Sequence, residues 1–140
     1  MRVIGLGNDL VNIDRIERSI VKFGRRFIDR IFTLQEQEYC DGNAVRISNY
    51  AKRFAAKEAC AKALGTGFAK GVFWRDIGVV RDENGKPTII LTGGALRLMN
   101  ENTPRGMIAQ IDLTLTDDHP WAQAVVLITA NPIDNAQKLP

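Results

Sequence analysis

Asp9 and Glu58 are two carboxylates whose surroundings suit a hard cation. Glu58 stands in the run Arg53-Phe54-Ala55-Ala56-Lys57-Glu58-Ala59-Cys60-Ala61-Lys62-Ala63-Leu64-Gly65-Thr66-Gly67. Its alanines give high helix propensity and little bulk to hold a partner away. At 3.6 residues per turn, Phe54, Glu58, Ala61 and Gly65 share one face, and Arg53, Lys57 and Lys62 flank it with positive charge. Asp9 follows a short apolar run over 2–7 that reads as a strand, where the strand hands over to a loop. Two carboxylates on separate rigid elements can converge on one ion. Magnesium is held in this way by one or two carboxylates, with waters and phosphate oxygens completing the octahedron. The flanking cations would receive phosphate oxygens, and Gly65-Thr66-Gly67 lets backbone approach a bulky ligand. The plain alternative is that Glu58 and Lys62 form an ordinary i,i+4 surface pair. Spacing and composition alone reach no further than a phosphate-handling magnesium site.

The elements that must position these residues follow from periodicity. Ile13, Ile16, Ile20, Phe23 and Phe27 mark an amphipathic helix that Gly24 interrupts. Thr33 with Glu36 is a capping box opening a short helix over 34–40. A loop at 41–43 precedes a long helix over 45–64, which Gly65 ends in the position glycine favours. Residues 72–80 and 86–91 read as a hairpin with Asn84-Gly85 at its tip. A brief helix over 95–100 follows. Residues 107–116 alternate as a strand, with Met107, Ala109, Ile111, Leu113 and Leu115 on one face. After a turn at 117–120, residues 121–130 are apolar on both faces, as in a central strand or one covered by another subunit. The expectation is an α+β domain over 1–130, an antiparallel sheet packed with one long helix and shorter ones, and a loose tail over 131–140.

The chain has 140 residues, 45% hydrophobic and 25% charged, which fits one soluble domain able to bury a core without staples. Cys40 and Cys60 are far apart and outside any CxxC spacing, so they read as reduced thiols of a cytoplasmic protein. No run approaches membrane-spanning length and no signal peptide is visible. Net charge is only +3, but Arg15, Arg18, Lys22, Arg25, Arg26 and Arg30 crowd the first helical region. That surface suits an anionic partner.

Gly5-Leu6-Gly7-Asn8-Asp9-Leu10-Val11, then Phe54-Ala55-Ala56-Lys57-Glu58-Ala59 and Lys62 to Gly67 in register with it, resemble the bacterial holo-[acyl-carrier-protein] synthases. These are the small, homotrimeric 4′-phosphopantetheinyl transferases. The similarity extends to Arg26-Phe27 with Arg30-Ile31-Phe32-Thr33, to Gly85-Lys86-Pro87 and to the closing strands. The resemblance implies the 4′-phosphopantetheinyl transferase-like fold and a magnesium-dependent transfer. The phosphopantetheine arm of coenzyme A would pass to a serine of apo acyl carrier protein, releasing adenosine 3′,5′-bisphosphate. It implies Asp9 and Glu58 as magnesium ligands and Asp9, Glu58 and Lys62 as the catalytic set. It places Arg53, Lys57, Lys62, Gly65, Thr66 and Gly67 against coenzyme A. Arg15, Arg18, Lys22, Arg25 and Arg26 become the docking surface for an acidic carrier protein, and the active sites are shared between the subunits of a homotrimer.

The chain departs from the family where relatives often carry histidines in the penultimate strand. The matching positions read as Asp112 and Asp117, and His119, the single histidine, lies in the turn. A metal-ordered water or Glu58 is left to take the serine proton. Three rival readings are weaker. A nucleic-acid-binding module lacks an aromatic platform or a known motif. A magnesium-dependent nucleotide hydrolase lacks a base for water and a Walker loop. A trimeric scaffold leaves Asp9 and Glu58 without a role.

Overall fold

The computed structural model describes residues 1–134, so most of the tail expected over 131–140 lies outside the described residues. β1 (Arg2–Asn12), β5 (Trp121–Pro132) and β4 (Met107–Asp118) form a three-stranded antiparallel sheet with β5 in the middle. α4 (Arg46–Leu64) lies across its inner face. Small side chains explain the fit. Ala122, Ala124 and Ala130 of β5 are fully buried, as are Ala55, Ala56 and Ala59 of α4. On β1 the approach is closer still: a Cβ built on Gly5 would stand 3.0 Å from the carbonyl carbon of Ala63. Glycine is there because any side chain would push the helix off the strand.

β1 is longer than its apolar run predicts. Asn8 and Asp9 do not end it, because β5 continues to pair opposite them, through Val125 and Ala124. Asp9 is therefore held inside a strand rather than at its end. Likewise β5 continues through Pro132, two residues past the expected domain edge.

α1 (Ile13–Phe23) and α2 (Arg25–Ile31) meet at Gly24, whose φ of 56° makes the expected break. α3 (Leu34–Asp41) opens with the predicted capping box between Thr33 and Glu36. α4 ends at Gly65, which takes a φ of 93° and so closes the helix in the left-handed region. The hairpin β2 (Ile77–Arg81) and β3 (Pro87–Leu91) forms a second sheet, followed by α5 (Gly93–Asn102). The strand expected to begin at residue 72 is replaced over Trp74–Asp76 by a 3-10 turn. There the Trp74 and Ile77 carbonyls accept hydrogen bonds from the Lys57 ammonium, and Asp76 accepts one from the Phe73 amide. Those bonds draw the backbone out of an extended ladder.

Candidate active site

The seating of α4 on β1 brings Asp9 against the helix face that carries Glu58 and Lys62. The Lys62 ammonium donates to Asp9 Oδ1 at 2.9 Å and to the Asn8 carbonyl at 3.1 Å. Lys62 thus turns to the strand and not to Glu58, and among the described residues Glu58 is in no ion pair. Partial burial raises the pKa of Glu58, and the negative charge of Asp9 raises it further, against the pull of Lys62 and Arg15. Arg15 approaches this cluster from the surface. It reaches in from α1, and its guanidinium lies 5.9 Å from the centre of the Phe54 ring, one turn before Glu58.

These residues fit a magnesium ion. The charge of Asp9 is felt at Glu58, so the two carboxylates stand near enough to serve one ion, and the Lys62 ammonium is already paired with Asp9. Among the described residues no third metal-ligating side chain joins a cluster. A pair of carboxylates suits a metal completed by water and phosphate oxygens. Beyond Lys62 the helix ends in the exposed Gly65 and the half-buried Thr66 and Gly67, the open loop expected beside a ligand.

Lys57 and Arg53 are placed differently from the expectation that they flank Glu58. Lys57 is fully buried, its side chain turned toward α3 and the start of β2. Its ammonium pairs with Glu36 at 2.7 Å and donates to the Trp74 and Ile77 carbonyls. Burial pulls its pKa down while Glu36 pulls it back. Glu36 also accepts from the Thr33 and Val79 amides, so one buried ion pair ties α3, α4 and β2 together. Arg53 is 2% exposed, with its guanidinium over the Tyr39 ring at 4.2 Å. It borders a recess of about 120 Å³ shared with Gln35, Val79, Val80 and Arg81. The geometry therefore separates these two cations from the Asp9–Glu58–Lys62 cluster within one chain. A helical wheel shows which residues share a face, not which face meets a second sheet, so this separation was not visible in the sequence.

Arg15, Arg18, Lys22, Arg25 and Arg26 are all exposed on α1 and α2. Arg25 is partly engaged within the chain, reaching Asp41 at 3.4 Å and the side chain of Gln37. Arg26, with Arg30, rims a groove of about 390 Å³ floored by Phe23, Phe27, Phe54 and Trp74. The aromatic floor was not singled out in the sequence, although Phe27 sits on the same stripe as Ile13 and Ile20. Asp112 and Asp117 part company. Asp112 is on the outer sheet face opposite Leu127, where Gln110 donates to it at 3.2 Å. Asp117 pairs with Lys52 at 3.1 Å and accepts from Ser48 at 3.0 Å, and these bonds hold its pKa down. His119 is an exposed turn residue, as expected, 3.0 Å from Asp14. Cys40 and Cys60 are free and buried, and burial pushes both thiols up to about 12.

Comparison with known proteins gives the same direction. A family model described as the 4′-phosphopantetheinyl transferase superfamily matches residues 5–122. The holo-[acyl-carrier-protein] synthase of Phenylobacterium zucineum is 59% identical over 130 residues, covering 93% of this chain and 94% of that protein. The crystal structure of the holo-[acyl-carrier-protein] synthase from Neisseria meningitidis is 36% identical, with a TM-score of 0.78 over 91% of this chain and 98% of that one. The Helicobacter pylori enzyme, solved in complex with coenzyme A, is 29% identical, with a TM-score of 0.75 over 89% of this chain and 99% of that one.

Proposed function

The chain belongs to the 4′-phosphopantetheinyl transferase superfamily, among the holo-[acyl-carrier-protein] synthases, and on that premise we propose how its residues perform the transfer. The reaction moves the 4′-phosphopantetheine arm of coenzyme A onto a serine hydroxyl of apo acyl carrier protein and leaves adenosine 3′,5′-bisphosphate. The observation that carries the assignment of residues is the meeting of Asp9, Glu58 and Lys62 across the β1–α4 contact.

Asp9 and Glu58 hold the magnesium ion in this reading. When bound, the ion would supply positive charge that offsets the charge of the diphosphate. Lys62, mostly exposed at the edge of the cluster, is placed to take a phosphate oxygen with the same sign of charge. The Gly65-Thr66-Gly67 loop gives coenzyme A a surface without bulk. Arg15, Arg18, Lys22 and Arg26 dock the acidic carrier protein, and Arg15 links that surface to Glu58. A metal-ordered water or Glu58 is the group left to accept the serine proton. Asp117 is committed to Lys52 and is not that base. The chemistry is then positioning and electrostatics, with no covalent enzyme intermediate.

Two further parts belong to this reading. The enzyme is a homotrimer with shared sites, supported by apolar side chains exposed on the outer sheet face, among them Leu6 at 66% and Leu10 at 57%. It works in the cytoplasm, consistent with two free thiols and with the absence, among the described residues, of any helix long and apolar enough to cross a membrane. Mass spectrometry of apo carrier protein incubated with coenzyme A tests the whole. The serine should gain the phosphopantetheine mass with Mg²⁺ and not with a chelator. Modification that persists in the chelator removes the metal from the mechanism.

A further inference from the structure

Lys62 places a positive charge on one oxygen of Asp9. The Asp9 side chain is only 12% exposed, so its oxygens can be approached from few directions. The approach from α4 is filled: Lys62 Nζ lies 2.9 Å from Oδ1 and is held a second time by the Asn8 carbonyl at 3.1 Å. Among the described residues Glu58, one turn back on the same helix, forms no ion pair. Glu58 lies near enough to feel the charges of both Asp9 and Lys62, so a divalent ion shared by the two carboxylates would meet the ammonium. Two cations cannot share that space, because at such distances their repulsion is large. The lysine is free to leave, since its side chain is 53% exposed and ends a flexible four-carbon stem.

We propose that Lys62 is the resident cation of the metal-free site, and that it leaves Asp9 when a divalent ion enters. This rests on the reading that Asp9 and Glu58 hold the metal. The consequence is a coupling between the two ligands of the reaction. A diphosphate that attracts the Lys62 ammonium uncovers Asp9, and an ion on Asp9 sends the ammonium toward the diphosphate. Each ligand favours the same conformer, so each should raise the affinity for the other. The metal-free enzyme is meanwhile spared two uncompensated carboxylates.

The test uses the whole nucleotide-free protein and two readouts other than activity. Mn²⁺ binding is followed by electron paramagnetic resonance, and Lys62 accessibility by brief labelling with an amine reagent and peptide mass spectrometry. Saturating Mg²⁺ should increase labelling of Lys62 severalfold while leaving Lys70 unchanged. Asp9→Asn should show high Lys62 labelling with or without the metal. Lys62→Met should bind Mn²⁺ about tenfold more tightly than the wild type, the size of an ordinary coupling between sites. Removing the charge alone could tighten binding too, so the labelling decides. If Mn²⁺ binds the wild type and Lys62 labelling does not rise with Mg²⁺, the ion takes Asp9 without displacing the lysine and the proposal is wrong. If the wild type binds no Mn²⁺ at millimolar concentration, the metal reading itself falls, and the displacement with it.

Discussion

Gly7 and Ala59 lie backbone against backbone: a Cβ built on Gly7 would overlap the Ala59 carbonyl oxygen and stand 2.7 Å from its carbonyl carbon. Two residues further along the same strand face is Asp9, and one residue before Ala59 is Glu58. The contact that seats the helix therefore also sets the distance between the two carboxylates. Sequence, packing and chemistry meet at a hydrogen atom that no other residue supplies.

Gly7→Ala should lower stability by roughly 1–3 kcal/mol, the range for overpacking a close contact. It should lower activity per folded molecule further, because α4 can relieve the overlap only by moving Glu58 from Asp9. Denaturant melts with activity normalised to the folded fraction would measure both. A variant of lower stability and full specific activity would mean that the spacing of the carboxylates does not matter.

Lys57 offers a sharper discrimination. If it serves the buried pair with Glu36, Lys57→Met leaves a carboxylate unpaired in the core and should cost about 3–5 kcal/mol. The KM for coenzyme A of the molecules that remain folded should stay near that of the wild type. A modest loss of stability with a tenfold rise in that KM would return Lys57 to the diphosphate.

Lys57 also shows how far the sequence could be read. The face bearing Phe54, Glu58, Ala61 and Gly65, the glycine stop and the capping box at Thr33 all follow from local rules, and the fold keeps each of them. The alternation of Ala122, Ala124 and Val126 against Val125 and Leu127 was equally plain. Asp9 reads as a strand end because polar side chains resemble a boundary, whereas the ladder depends on backbone groups that β5 still offers. Local rules do not pair Lys57 with Glu36, because the two come together only when α3 folds onto α4. Charge in a sequence suggests surface, and only tertiary structure reveals a cation that carbonyls and a carboxylate have replaced water around.

Glu58 couples stability to pH in a stated direction. Its pKa in the folded chain is raised, so the folded state binds that proton more tightly than the unfolded one. The resulting stability is fully present below the unfolded value, near 4.3 for a free glutamate, and is lost as pH rises through the folded value. Without metal at pH 7, Glu58→Gln should therefore melt higher than the wild type, and the difference should shrink below about pH 4. Adding Mg²⁺ should stabilise the wild type and not the variant, since only the wild type keeps both ligands. Turnover of the variant should fall on the order of a hundredfold, as when one strong electrostatic stabiliser is removed. Thermal melts with chelator and with Mg²⁺, read beside turnover, would show whether these signs are right.

The docking surface divides by what each cation already does. Replacing Arg15 and Arg26 by alanine should raise KM for the carrier protein about tenfold and leave KM for coenzyme A nearly unchanged, because rim charges act on encounter. Added salt should slow the wild type at subsaturating carrier protein for the same reason. Arg25→Ala should behave otherwise. Its bonds to Asp41 and Gln37 join α2 to α3, so the larger effect should be on stability, up to about 1 kcal/mol for exposed pairs. Equal KM effects from Arg25 and Arg26 would mean that both face the partner.

The assembly is tested on the outer face of the sheet. Val126, although it belongs to the closing strand, is fully buried beneath α4, so a charge there would unfold the chain and report nothing about subunits. Leu6 is the informative position: it lies opposite Leu127 on the outer face and is 66% exposed in the single chain. In a trimer built on this face Leu6 becomes buried, and an aspartate there would be an unpaired charge in the interface. The wild type should scatter light as about three times 15.6 kDa at micromolar concentration. Leu6→Asp should scatter as the single chain, keep its circular dichroism and lose activity, since one protomer then lacks the neighbour that completes its site. A Leu6→Asp monomer with full activity would place the complete site within one chain, on the β1–α4 contact alone.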